Sequence, residues 1–140
     1  MAAFAAGQTR ARLAKVAEQS AKCLAKPDAD GVHDLRVAIR RLVQALDLFA
    51  SLFPDGSAKK VRRRLTRVRR SAAGTRDRDV AIDILQGMND RRAARSAQRL
   101  SRERADELAK LSRQLKRWER KQPWRKWSAQ LGLDAQEQSQ

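Results

Sequence analysis

Residues 31–53 read GVHDLRVAIRRLVQALDLFASLF and contain the clearest periodic pattern in the chain. Their large apolar side chains recur at spacings of four and three, in the order Leu35, Ile39, Leu42, Leu46, Phe49 and Phe53. This spacing places them on one side of an α-helix. The pattern predicts a helix from about Gly31 to Leu52 with one buried face, and Asp30 is its expected N-cap.

Similar patterns on both sides of this segment predict three more helices. The first helix covers residues 3–25, and Pro27 ends it. The third begins at Ser57, and its apolar stripe consists of Val61, Leu65, Val68 and Ala72. A short helical piece over 80–85 follows, and Asn89 then caps a fourth helix that reaches about Lys121. Gly74 is expected to stop the third helix, because glycine commonly follows a helix C-terminus.

These elements predict an all-α protein. No strand pattern or internal repeat occurs, so the expected architecture is a four-helix bundle formed by residues 1–122. Residues 123–140 are expected to form a separate C-terminal segment. In that segment Trp124 and Trp127 are placed to fold back onto the bundle, and the tail from Asp134 to Gln140 is expected to be disordered.

Length and composition limit the possible functions. The chain has 140 residues, room for one domain, and its 32 Lys and Arg against 16 Asp and Glu give a net charge of +16. Such an excess attracts polyanions. The single cysteine, Cys23, cannot form an internal disulfide and is expected to pack as a small hydrophobe, and no zinc set or membrane-length apolar run occurs. We expect a soluble, cytoplasmic protein with an anionic partner and without metal or cofactor.

The polar face of the second helix carries the residues with the most suggestive chemistry. At 100° per residue, His33, Arg36 and Arg40 share one side, with Arg41 beside them. The third helix contributes a basic row: Lys60, Arg63, Arg64, Arg67 and Arg70. A turn near Asp55 makes the two helices antiparallel, so residues whose numbers sum to about 110 should be level. The paired residues predicted on this basis are Arg40 with Arg70, Gln44 with Arg67, His33 with Arg76 and Asp77, and Asp47 with Arg63.

The residue types on the facing basic sides of the second and third helices favour phosphate as the ligand. Guanidinium groups form paired, charge-assisted hydrogen bonds with phosphate oxygens. His33 lies near a helix N-terminus, where free N–H groups also favour an anion.

Simpler interpretations stand beside this one. A charged run on a helix can be only a solvated face, and a lone histidine near a helix start is often structural. Asp77 and Asp79 could form an acid/base pair, but the neighbouring Arg76 and Arg78 favour ion pairing and capping. No glycine-rich phosphate loop or Ser/His/Asp set is present.

Two segments resemble a known family. They are VHDLRVAIRRL, residues 32–42, and GTRDRDV, residues 74–80. Their order and the basic helix between them resemble the CHAD family, the conserved-histidine α-helical domain. The resemblance implies an all-helical bundle of two similar halves with a basic central surface that binds inorganic polyphosphate. It also implies which residues bind: His33, Arg36, Arg40 and Arg41 on one helix, Lys60, Arg63, Arg64 and Arg67 on the next, and Arg76 after it.

The chain departs from the family pattern in one respect. His33 is its only histidine, so a second H-x-x-R segment is missing and the chain corresponds to about one half of the usual domain. Either half a site suffices, or two chains pair to rebuild the whole. We expect a homodimer with twofold symmetry, since a half split from a symmetric parent would expose its apolar mating face.

Together with this resemblance, the sequence predicts a non-catalytic protein that binds inorganic polyphosphate, and the resemblance implies an association with polyphosphate granules. Nucleic-acid binding is the main alternative, since the same helices suit a phosphodiester backbone, although no aromatic residue lies within the basic rows to stack bases. A polyphosphate-metabolising enzyme and a scaffold recruited by charge alone are further alternatives.

Overall fold

A computed structural model of the chain describes residues 2–134, and every described element is helical. The helices are α1 (Ala2–Ala25), α2 (Ala29–Leu48), α3 (Ser57–Gln86), α4 (Arg91–Lys121) and α5 (Trp124–Gln130), with a 3₁₀ turn at Ala50–Leu52. The predicted all-α class is confirmed. Of the tail predicted to be disordered, Asp134 to Gln140, the structure describes only Asp134, and residues 135–140 lie outside the described residues.

The start of α2 differs from the prediction. Asp28, not Asp30, is the N-cap: the Gly31 N–H donates to Asp28 Oδ1 at 2.8 Å. The helix consequently begins two residues earlier, and Asp30 lies in its first turn. It also ends earlier, at Leu48, so Phe53 reaches the core from beyond the helix.

Gly74 does not stop the third helix, and that prediction is wrong. The helix continues to Gln86 and includes the predicted separate piece over 80–85. Glu107 of α4 lies over Gly74, so that its Oε2 is 3.0 Å from where a Cβ would be. The glycine therefore admits a carboxylate from the neighbouring helix and is not required for a change of chain direction.

Charged side chains hold α3 and α4 together at this level. Arg104 interrupts the apolar row of α4 because its Nε donates to Asp79 of α3, and Arg78 Nε lies 3.4 Å from Glu103. This confirms ion pairing for Asp79. Asp90, not Asn89, caps α4, since its carboxylate accepts from the Arg92 N–H at 3.1 Å.

The core lies between α1, α2, α3 and α4, and the C-terminal segment closes one side of it. Leu35, Ile39, Leu42 and Leu46 of the predicted stripe are fully buried, whereas Phe49 is only partly buried, and Cys23 is buried with the core. Burial raises the pKa of the Cys23 thiol to about 11, so the thiol stays neutral and packs as an apolar group. Trp124 and Trp127 do fold back: both pack edge-on against Trp118, and Trp127 is buried.

Candidate anion-binding surface

The register between α2 and α3 agrees with the predicted hairpin. Arg62 Nε lies 3.3 Å from Asp47 Oδ1, and the numbers of these two residues add up to 109, close to the expected 110. The predicted partner of Asp47, Arg63, is wrong by one position. One residue is 100° of helix rotation, so Arg62 faces α2 while Arg63 points outward.

In this register, side chains of α2 and α3 line the two sides of a narrow groove of about 180 Å³. His33, Arg36 and Arg40 come from α2, and Arg69 comes from α3, with Val37 and Ala73 beneath them. The α2 residues predicted to act together are thus neighbours. The α3 residue opposite them is Arg69, not the predicted Arg70.

Arg69 is the site residue that sequence reasoning misses. It lies two turns from Arg62 on the side of α3 that faces α2, and its number and that of Arg40 again add up to 109. The Asp47–Arg62 ion pair, had it been assigned correctly, would have identified it.

A second groove, of about 460 Å³, runs along the outer face of α3. Its lining consists almost entirely of cations: Lys59, Arg62, Arg63, Arg67, Arg69 and Arg70, together with Thr66. Arg69 lines both grooves and joins them. We call the two joined grooves the basic surface.

Four predicted site residues lie elsewhere or at the margin. Arg41 points to the other side of α2 and lines a groove with Phe4 and Arg12 of α1. Arg64 faces α4 and lines a pocket with Arg117. Lys60 and Arg76 line neither groove of the basic surface.

The charges of the basic surface are largely uncompensated. Within residues 2–134, Arg62 is the only one of its basic residues that forms an ion pair. Arg36 is half-buried, and its Nε is shielded from solvent without a hydrogen-bond partner. A buried N–H donor of this kind normally finds an acceptor. The arrangement can therefore hold an anion that carries several oxygen acceptors.

The described part of the chain offers neither a metal-binding cluster nor a membrane-length apolar helix. Among residues 2–134, no group of three His, Cys, Asp or Glu side chains is placed to hold a metal ion. No helix in that range combines the length and apolar character that crossing a membrane would require.

A helical bundle with an H-x-x-R helix beside a second basic helix is the pattern on which the family resemblance rests. The chain matches the family model of the CHAD domain over residues 7–138, and it belongs to the CHAD family. Comparisons with curated proteins and with solved structures found no match.

Proposed function

We propose that the protein binds inorganic polyphosphate on the basic surface. Membership of the CHAD family is consistent with polyphosphate binding in general. The observation that carries the proposal is the continuity of two arginine-lined grooves through Arg69, with one shielded guanidinium N–H left free at Arg36.

The shape of the basic surface suits a linear polyanion. From Lys59 to Arg70 the outer groove follows α3 for about 17 Å at 1.5 Å per residue. A polyphosphate chain carries negative charge on every phosphate unit, so successive units can meet successive arginines. Each contact releases counterions, which makes the binding strongly dependent on salt.

We propose binding without catalysis. The side chains that line the two grooves are cationic or apolar, apart from the hydroxyl of Thr66 and the imidazole of His33, and no carboxylate lines either groove. The Thr66 hydroxyl donates to the Arg62 carbonyl oxygen at 2.8 Å. Incubation with polyphosphate and Mg²⁺ should release no orthophosphate above a protein-free control.

The direct test is a titration with polyphosphate of defined length, in competition with duplex DNA at equal phosphate concentration. The variant Arg36→Glu, Arg40→Glu, Arg69→Glu should lose at least about 100-fold in affinity, since three charge-assisted contacts become repulsive. The control Arg95→Glu, Arg113→Glu, Arg120→Glu removes the same charge from exposed positions of α4. Equal losses in both variants would reject the site, and preferential binding of DNA would favour the nucleic-acid alternative.

The predicted homodimer is also part of the proposal. The C-terminal end of α3 and the N-terminal part of α4 offer a surface for it. Val80, Ile84 and Met88 are between 42 and 59 % exposed there, and a groove of about 520 Å³ lies alongside, with a floor of small α4 residues such as Ala94 and Ala97. Exposed apolar surface of this kind commonly marks an interface.

Charge supports a second copy as the occupant. The exposed Asp77 and Asp83 lie on the same end of α3 as the apolar side chains, whereas the exposed Arg91 and Arg102 lie on α4. The α3 end of one copy therefore complements the α4 end of another. Light scattering should give a dimer for the wild type and a monomer for Ile84→Arg. The control is Leu48→Arg, because Leu48 is an exposed residue at the C-terminal end of α2. A wild-type monomer would contradict the dimer and leave the polyphosphate proposal intact.

The remaining part of the proposal concerns location. A protein that binds polyphosphate in the cytoplasm should collect on polyphosphate granules. A fluorescent fusion would show this, and the triple variant of the basic surface should stay dispersed.

A further inference from the structure

A separate pocket lies on the opposite side of α3 from α2. It has a volume of about 180 Å³ and is enclosed by α3, α4 and the segment that leads into α5. We call it the tryptophan pocket, because Trp118 and Trp127 line it together with Val68 and Pro123. It touches the basic surface only through Arg67, which lines both.

The apolar walls of this pocket come from the turn after α4 and from a pair of tryptophans. Gln122 ends α4 with a φ of 47°, in the left-handed region that non-glycine residues rarely adopt, and its N–H donates to the Trp118 carbonyl oxygen at 2.8 Å. This turn directs Pro123 and Trp127 back over α3. The indole rings of Trp118 and Trp127 meet edge to face, 5.7 Å apart. Backbone strain held in place by packing is a feature that clusters at ligand sites.

One polar atom inside these walls lacks a partner. Gln114 lines the pocket, and its Oε1 is shielded from solvent without a hydrogen-bond donor in the described chain. A buried carbonyl oxygen is normally paired, and leaving it unpaired is unfavourable. A ligand with an N–H or O–H group on an otherwise apolar body would satisfy it after a small side-chain adjustment.

The rim of the pocket is cationic. Arg64, Arg67, Arg117 and Lys121 line it, all are exposed, and none forms an ion pair within residues 2–134. The pocket therefore combines apolar walls, one unpaired acceptor and four free cations. Inorganic polyphosphate can use only the last of these three features.

We propose that the tryptophan pocket binds a nucleoside triphosphate. The base lies in the pocket against Val68 and the tryptophans, its amino group donates to Gln114 Oε1, and the phosphates lie on the cationic rim. The volume is below the range for whole drug-sized ligands, so one base enters while the charged part stays outside. The proposal is independent of polyphosphate binding, since it depends on features of the pocket that inorganic phosphate does not use.

The test compares metal-free ATP with inorganic tripolyphosphate, which carries the phosphates without the base. Calorimetry should show ATP binding at least about tenfold more tightly than tripolyphosphate to the wild type. In Gln114→Leu this ratio should fall towards one, because the amino group loses its acceptor. Far-UV circular dichroism checks that the variant is folded.

A second readout locates the ligand and does not depend on Gln114. The chain has three tryptophans, so its spectrum contains three indole N–H signals. ATP should shift the signals of Trp118 and Trp127, while tripolyphosphate should leave them nearly unchanged. The variant Arg117→Glu, Lys121→Glu should weaken ATP binding at least about tenfold, and the control Arg113→Glu, Arg120→Glu, which alters exposed α4 residues outside the pocket, should weaken it less than about threefold.

Two results would overturn the proposal. One is equal affinity of the wild type for ATP and tripolyphosphate, which would mean that the base contributes nothing. The other is an absence of any ATP-induced shift in the indole N–H signals of Trp118 and Trp127. Neither result bears on polyphosphate binding, which the Arg36, Arg40 and Arg69 variant tests separately.

Discussion

The two halves of α3 use arginine in opposite ways. In its first half, Arg63, Arg67 and Arg70 are exposed and have no carboxylate partner among the described residues. In its second half, Arg78 is half-buried against Glu103, and Asp79 pairs with Arg104 of α4. The same residue type thus serves the packing of two helices at one end and remains available to an external anion at the other.

The difference follows from what lies opposite each half. Glu103 and Glu107 of α4 lie against the second half of α3, at Arg78 and Gly74. The α2 helix faces the first half and offers Asp47 alone. Repulsion among unpaired arginines lowers the stability of the fold, so a ligand that neutralises them should stabilise it.

The largest expected effect comes from removing the unpaired charges. The variant Arg36→Glu, Arg40→Glu, Arg69→Glu should lose polyphosphate binding by at least about 100-fold while its urea midpoint stays equal to that of the wild type or rises. A large fall in the urea midpoint would show that these arginines are structural, and would remove the contrast between the two halves.

The opposite behaviour is expected of the paired charges. Arg104→Ala leaves the largely buried carboxylate of Asp79 without its partner, and should lower the free energy of unfolding by about 2 kcal/mol. Urea denaturation measures this, with the exposed Arg99→Ala as control. Polyphosphate affinity should change by less than about threefold, the reduction expected for one distant surface charge. A fall in affinity as large as that of the triple variant would contradict the assignment.

A smaller effect concerns Gly74, which lies where the two halves meet. Alanine favours a helix interior over glycine by about 1 kcal/mol, but here its Cβ would press on the Glu107 carboxylate. Gly74→Ala should therefore stabilise the protein more in a Glu107→Ala background than in the wild type. Equal effects in the two backgrounds, measured by thermal denaturation, would show that the contact with Glu107 has no energetic weight.

The smallest effect distinguishes the two candidate caps of α2. Asp28→Ala should lower the free energy of unfolding by about 1 kcal/mol, since the Gly31 N–H loses its acceptor. Asp30→Ala should change it by less than about 0.5 kcal/mol, as an ordinary surface substitution does. The reverse order would restore Asp30 as the cap.

Local pattern was sufficient to predict that these segments are helical and how α2 pairs with α3. The stripe of α2 and the turn after it predict both the buried face and an antiparallel partner within one residue of the observed register. Gly74 could not be interpreted in the same way. Its neighbour Glu107 is 33 positions away in sequence, and only the packing of α4 shows that the glycine makes room for a side chain.

The site was predictable in part for a similar reason. The α2 residues His33, Arg36 and Arg40 share a helix face, so rotation alone groups them. Which α3 residues face α2 depends on the rotation of α3 about its own axis, and an error of one residue in the register changes that rotation by 100°. As a result Arg69, and not Arg70, lies opposite α2, and Arg64 faces α4. Trp127 reaches the pocket beside Arg64 through the turn at Gln122. The sequence predicts that Trp127 folds back, but not which helices it meets.

The most direct test of the unpaired basic surface is the salt dependence of polyphosphate binding. The slope of log K against log salt counts the phosphates that the protein contacts. In Arg36→Gln, Arg40→Gln, Arg69→Gln the slope should be smaller than in the wild type by about 3, one for each lost contact. The matched variant Arg95→Gln, Arg113→Gln, Arg120→Gln should keep the wild-type slope. Equal slopes in the two triple variants would contradict the account.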